Sequence, residues 1–254
     1  MGLPVFYASE QEIDGERGQI TISGPDARHL TRSLRAREGD CVIFGDGIGT
    51  LYRARLGSTM AEPVRCQILS VTYLQPERPQ LVIFQAMSKN QAMDETIARA
   101  AESGASRVVP FVSRRSPVEA VKKSAARLER WRSIARESSK VARRAWPLDV
   151  RTPLPGPLDE VAVRTVGACI LLWEGEERRS FAEALPEAPP RSIGMIVGPE
   201  GGLDESEVDV MRTLGARTAS LGVLNIRTES AGSMAVAIAR FHYGLLSPGA
   251  DEDA

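Results

Sequence analysis

The chain has 254 residues, 26% charged and 43% hydrophobic, with 32 basic against 33 acidic side chains and a formal net charge of −1. This length and apolar content suit two modest domains with real cores, which excludes wholesale disorder. No window holds the roughly 18–20 consecutive apolar residues of a membrane helix, and the opening MGLPVFYASEQEIDGE has no basic region followed by an apolar one, so a cytoplasmic protein with no membrane partner is expected.

Residues 1–75 carry short β-rich runs broken by glycine: QITISG, CVIFGDGIGTLYRARL and VRCQILSVTYL. Alternation from Leu51 to Leu56 and from Cys66 to Val71 suits half-buried strands, and the stretch from Gly45 to Gly49 reads as a hairpin loop. A small β-barrel is expected, with one short helix in PDARHLTRSLR. The run QPERP at 75–79 marks a linker, because two prolines cannot extend a central strand. From residue 80 to 246 strands and helices alternate, the pattern of a parallel α/β sheet. Strands are predicted at 81–87, 107–113, 168–174, 193–198 and 218–222. Helices are predicted over about 91–103 and 123–144, from Asp204 until Gly215 stops it, and from Glu229 to Leu246. Gly104 suits a left-handed helix stop, and Asp204 with Glu207 forms a capping box. Residues 247–254, SPGADEDA, read as a flexible acidic tail.

Taken whole, a net of −1 argues against a nucleic-acid partner. Its distribution reverses that inference, since Arg107 to Arg151 holds thirteen basic and four acidic residues, a net of +9 that leaves −10 elsewhere. A second basic concentration comprises Arg28, Arg32, Arg35 and Arg37, and within the long helix Arg136, Lys140, Arg143 and Arg144 share one face. A solvated face is the ordinary explanation of such a run. The scarcity of acids between these residues favours a polyanion-binding surface instead. Cys41, Cys66 and Cys169 form no C-x-x-C pair, and His29 and His242 are far apart, so neither a disulfide framework nor a metal site is expected. Trp131, Trp146 and Trp173 read as packing anchors, and Cys169 as a small buried hydrophobe.

In open α/β sheets ligands collect at the carboxyl ends of strands. Three such ends are unusual: Leu172-Trp173-Glu174-Gly175, Val197-Gly198-Pro199-Glu200-Gly201-Gly202, and the run from Leu221 to Glu229. GPEGG lets backbone approach a ligand closely, although a tight turn without a ligand would use the same residues. It matches neither G-x-x-x-x-G-K-[ST] nor G-x-G-x-x-G, so a nucleotide phosphate site is poorly supported. Arg227 stands where the last helix begins, against the helix dipole, and pairs in sequence with Glu229.

GPEGGLDESEV followed by LGVLNIRTESA resembles the RsmE family, the 16S ribosomal RNA uridine N3-methyltransferases of the SPOUT class. HLTRSLRAREGD resembles an element of that family's PUA-like barrel, and QAMSKNQAMDETIARAAESGASRVVPFVSRRS and RWRSIARESSKVARRAWP resemble its middle segments. The resemblance implies a PUA-like RNA-binding β-barrel over 1–75 and a SPOUT α/β domain over 80–246 with a deep trefoil knot across roughly 168–235. It further implies a homodimer acting on 16S rRNA or the 30S subunit, with S-adenosylmethionine in the knot loops. By position the cofactor pocket maps to Leu172, Val197, Gly198, Glu200, Gly202, Leu221, Gly222, Ile226 and Arg227. Arg227 is assigned to charge stabilisation and Glu229 or Glu200 to proton acceptance, with Arg28, Arg32, Arg35, Lys89, Arg115, Arg136, Lys140 and Arg144 facing RNA. Leu224, Asn225 and Val141 depart from the family pattern. Methylation of another base or of a ribose 2′-hydroxyl, and a catalytically silent RNA-binding assembly factor, are the alternatives.

Overall fold

A computed structural model describes residues 3–59 and 62–246, so the expected tail at 247–254 lies outside the described residues. The chain divides into two compact units: Met1–Pro76 with Ser139–Pro147, and Glu77–Ser138 with Leu148–Ala254.

In the first unit, β1 (Val5–Tyr7), β2 (Ile13–Asp14) and β3 (Gln19–Ile22) precede α1 (Gly24–Arg28), and β4 (Cys41–Gly45), β5 (Thr50–Leu56) and β6 (Val64–Tyr73) follow it. The strands form one curled sheet ordered β1-β4-β5-β6-β3-β2, with β1 and β2 at its edges rather than hydrogen-bonded into a closed barrel. The β4–β5 hairpin turns where the Asp46 carboxylate accepts from the amides of Ile48 and Thr50 at 2.8 and 2.9 Å, a side chain substituting for backbone in a tight turn. Period-two pairs, Ile20 with Ile22, Val42 with Phe44, Ala54 with Leu56 and Val64 with Cys66, point inward around Phe6 and Leu30. After α1 the chain makes a π-helical turn over His29–Ser33. Segment Ser139–Pro147 joins this unit through Tyr7, whose hydroxyl donates to the Arg144 carbonyl at 2.7 Å, and through Lys140, whose ammonium donates to Asp26 at 2.6 Å.

The second unit runs β7 (Gln80–Ala86), α2 (Asn90–Ser103), β8 (Arg107–Phe111), α3 (Val118–Val141), β9 (Asp149–Val150), α4 (Glu160–Arg164) and β10 (Ala168–Leu172). It continues with α5 (Phe181–Ala184), β11 (Ser192–Val197), α6 (Glu205–Thr213), β12 (Arg217–Ala219) and α7 (Thr228–His242). Every strand pair is parallel, in the order β12-β10-β11-β7-β8-β9. Both faces are covered, which is why the strands read as continuous apolar runs. Leu81, Ile83, Ile170, Ile193 and Met195 pack with α2, α3 and α7 on one side, while Val82, Phe84, Cys169, Leu171 and Ile196 pack with α4 and α6 on the other. Trp131 is fully buried in the first of these cores. α2 stops at Gly104 with a φ of 96°, a left-handed conformation that glycine adopts without a Cβ penalty. α6 begins at the expected capping box, Glu207 accepting from the Asp204 amide at 3.1 Å. α3 differs from expectation: it starts at Val118 and ends at Val141, where Arg143 takes a φ of 53°.

Candidate functional site

The registers that pair Leu171 with Ile196 and Leu172 with Ala219 bring the carboxyl ends of β10, β11 and β12 side by side. The loops leaving them, with the start of α2, enclose a cavity of about 1220 Å³. All nine positions assigned to a cofactor line it, as do Lys89 and Glu229. Leu172, Val197, Leu221 and Ile226 supply an apolar wall that is buried or half-buried, which suits a flat heterocycle. Gly202 has a φ of 69°, and a Cβ there would come within 2.7 Å of the Glu174 carboxylate. The loop can therefore fold back at that point only without a side chain, and it presents bare backbone to the cavity.

Two hydrogen-bonded carboxylates order the loop after β10. Thr218 donates to Glu176 at 2.5 Å, and that bond, with the Arg178 and Arg179 amides, holds the Glu176 carboxyl below its ordinary pKa. The Ser180 hydroxyl and amide do the same for Glu183. On the opposite wall, Arg227 is the N-cap residue of α7 and projects outward with 85% of its side chain exposed. Its guanidinium lies 3.8 Å from Glu229, which is only 11% exposed. Exposure screens the arginine's conflict with the helix dipole, and Glu229 in the first turn favours that dipole. Glu200 is occupied differently: its carboxylate accepts from the Lys89 amide at 2.9 Å, at the N-cap of α2.

Two contributors carried little sequence signal. Gln85, a polar residue inside the apolar run LVIFQAM, is fully buried and donates toward both Gly198 and Thr228. Arg99 bonds Ser230 and Glu95, tying α2 to the first turn of α7. Only a tertiary structure brings these partners together.

The residues expected to face RNA divide into several groups. Arg32 and Arg35 are exposed on the turn after α1, and Arg136 is exposed on α3. Arg28 is exposed and lies 3.8 Å from Glu62. Arg144 is half-buried. Arg115 instead donates to the Gly201 carbonyl at 2.9 Å and sits 3.6 Å from Asp204, fastening the loop after β8 to GPEGG. Lys140 corrects the sequence reading most sharply, because its side chain is 9% exposed and its charge is spent on Asp26. More generally, at least ten of the thirteen basic residues of the +9 segment have a carboxylate within 4.0 Å, several of them supplied from distant sequence such as Asp94 and Asp204. Much of that segment is a paired surface, as the ordinary explanation of a charge run holds.

Comparison with known proteins follows the same division. An RNA methyltransferase domain family matches residues 76–240, and an RNA methyltransferase PUA domain family matches residues 22–69. The chain is 28% identical over 222 residues to ribosomal RNA small subunit methyltransferase E of Mycobacterium bovis, covering 85% of this chain and 83% of that one. It is 27% identical over 252 residues to the protein of the same name from Bacillus subtilis, covering 94% and 95%. A crystal structure of a ribosomal RNA small subunit methyltransferase E from Neisseria gonorrhoeae, bound to S-adenosyl methionine, superposes with a TM-score of 0.76 at 25% identity, covering 94% of this chain and 98% of that one.

Proposed function

The chain belongs to the RNA methyltransferase family, and from that membership we infer that it methylates N3 of a uridine in the 16S rRNA of the small ribosomal subunit, using S-adenosylmethionine. The observation that carries the reading is the cavity at the strand ends, where GPEGG, an apolar wall and the Arg227–Glu229 pair converge. The residues fit the cofactor: the glycine loop offers backbone donors and acceptors where Gly202 carries no Cβ, and Leu172, Val197, Leu221 and Ile226 offer a slot for adenine. When bound, S-adenosylmethionine supplies an electrophilic methyl group.

N3 of uridine carries a proton, and its lone pair is delocalised into the flanking carbonyls, so attack requires that proton to leave. Arg227, at the exposed edge of the cavity, stabilises the negative charge that develops on the base. Glu229, beside it, is the better proton acceptor of the two candidates, because Glu200 is already engaged by the Lys89 amide. GPEGG holds the donor side and α7 the base side, so positioning contributes to the rate along with acid–base chemistry.

The same reading includes a homodimer, supported by exposed Met234 and Phe241 on α7 and by exposed Val223 and Leu224 on the preceding loop. It includes a knot across 168–235, supported by the strand order, in which the chain leaves β11 and forms β12 on the far side of β10. Among the described residues no helix is long and apolar enough to cross a membrane, which suits a protein working on cytoplasmic ribosomes. Incubation with S-adenosylmethionine and 30S subunits or 16S rRNA, followed by nucleoside mass spectrometry, tests the assignment. We expect 3-methyluridine, and a turnover about 100-fold lower for Arg227→Ala. A methyl group on ribose would move the reaction to the 2′-hydroxyl, and no calorimetric heat with S-adenosylmethionine would leave only an RNA-binding factor.

A further inference from the structure

Gln85 lies near the end of β7, between Phe84 and Ala86, and is fully buried. Its amide nitrogen is 3.0 Å from the Thr228 hydroxyl, 3.3 Å from the Gly198 carbonyl and 3.2 Å from the Ala86 carbonyl. The Thr228 hydroxyl donates its own proton to the Gly198 carbonyl at 2.6 Å, which leaves its lone pairs to accept from Gln85. These neighbours decide the amide orientation. Rotated by half a turn, the Gln85 oxygen would face two carbonyl oxygens and a hydroxyl whose proton is already committed.

In the orientation that remains, Gln85 Oε1 is buried with no hydrogen-bond partner among the described residues. An apolar side chain would occupy this strand position without the cost of a buried, unpaired acceptor, as Phe84 and Ala86 do on either side. The core therefore gains little from an amide here, whereas the cavity gains a joint. Gly198 opens the GPEGG loop, and Thr228 is the first residue of α7, between Arg227 and Glu229. One side-chain amide, standing behind the cavity wall, connects β7 to both segments that frame the cavity.

We propose that Gln85 is a positioning residue that sets the spacing between the glycine loop and the Arg227–Glu229 pair, through the Gly198 carbonyl and the Thr228 hydroxyl. The proposal rests on the methyltransferase reading above. It has two separable consequences: displacement of Gly198 weakens cofactor binding, and displacement of Thr228 misplaces the groups that act on the base. Neither requires loss of the fold, because replacing Gln85 by a residue of similar length and no polarity also removes the orphaned acceptor.

The test compares wild type with Gln85→Met, Thr228→Val, Thr228→Ser and the Gln85→Met/Thr228→Val double variant. Calorimetry gives the Kd for S-adenosylmethionine, methylation of 30S subunits gives kcat and KM, and scanning calorimetry gives Tm. Gln85→Met is expected to raise Kd about fivefold and lower kcat about thirtyfold at an unchanged or higher Tm, since displacements near 1 Å at a reacting centre cost up to about 100-fold. Thr228→Val behaves likewise, and Thr228→Ser, which keeps the hydroxyl, falls between it and wild type. Because both changes break one joint, the double variant is expected within about twofold of the poorer single variant. Gln85→Met with Kd and kcat both within twofold of wild type overturns the proposal, as do fully multiplicative effects in the double variant. If Gln85→Met does not fold, Thr228→Val decides alone, and a kcat within twofold of wild type counts against the joint. A wild-type protein that gives no heat with S-adenosylmethionine defeats the functional reading itself, whereas a wild type that binds it, with Kd and kcat both left unchanged by Gln85→Met, defeats only this proposal.

Discussion

Replacing Lys140 by methionine separates a structural ion pair from a phosphate-binding residue. Lys140 lies 2.6 Å from Asp26 and 5.7 Å from the centre of the Phe6 ring, with its side chain 9% exposed. Methionine keeps the apolar stem and removes the charge, leaving the Asp26 carboxylate, 29% exposed, without its ammonium. Breaking a fully buried pair costs about 3–5 kcal/mol. The partial exposure of Asp26 lets water recover part of that loss, so about 2 kcal/mol is expected. If the whole chain unfolds together, this lowers Tm by roughly 4–8 °C. Scanning calorimetry reads the loss, and the Lys140→Met/Asp26→Asn double variant should recover more than half of it. RNA binding measured across a salt series should keep its slope, whereas loss of one phosphate contact lowers the slope by roughly one. An unchanged Tm with a reduced slope would refute the reasoning and return Lys140 to the RNA-facing surface.

Gly202→Ala should cost about 1–2 kcal/mol from its φ of 69°, read by urea denaturation, and should weaken S-adenosylmethionine binding. Adding Glu174→Ala, which removes the oxygen 2.7 Å from the new Cβ, should restore little stability if backbone strain dominates. The Ser206 hydroxyl, followed by its amide, lowers the Asp204 pKa below its ordinary 3.8. A lowered folded value makes the N-cap contribution fully present above that ordinary value and lost as pH falls through the folded one. Amide exchange in the first turn of α6 should therefore accelerate only below about pH 4, and Asp204→Ala should abolish that pH dependence. Burial pushes the Cys66 and Cys169 thiols up to about 11 and about 12. Iodoacetamide at pH 8 should therefore modify Cys41, which is partly exposed, well before either buried thiol, as read by peptide mass spectrometry.

The readable parts of this protein were those governed by short-range rules. Alternation marked the strands that carry inward Ala54, Leu56 and Cys66, continuous apolar runs marked the doubly covered strands, and the Asp204–Glu207 box and Gly104 marked helix ends at their observed positions. The strand-end rule singled out the three loops that the structure brings around one cavity.

What remained hidden involved partners far apart in the chain. Composition made Lys140 a surface cation, but Asp26, 114 residues away, turns it inward. Arg115 looked like a phosphate ligand and instead secures Gly201, 86 residues away. Gln85 appeared only as a polar interruption in an apolar strand, and its partner Thr228 is 143 residues away. Local periodicity and capping chemistry are written into adjacent residues, so the sequence by itself determined the longer strands and helices and the loops that end them, but not the short β1, β2, β9, α4 and α5, whose few residues carry too little pattern. Strand order, the pairing of buried charges and the joint behind the cavity depend on which distant surfaces meet, and only the tertiary structure decided those.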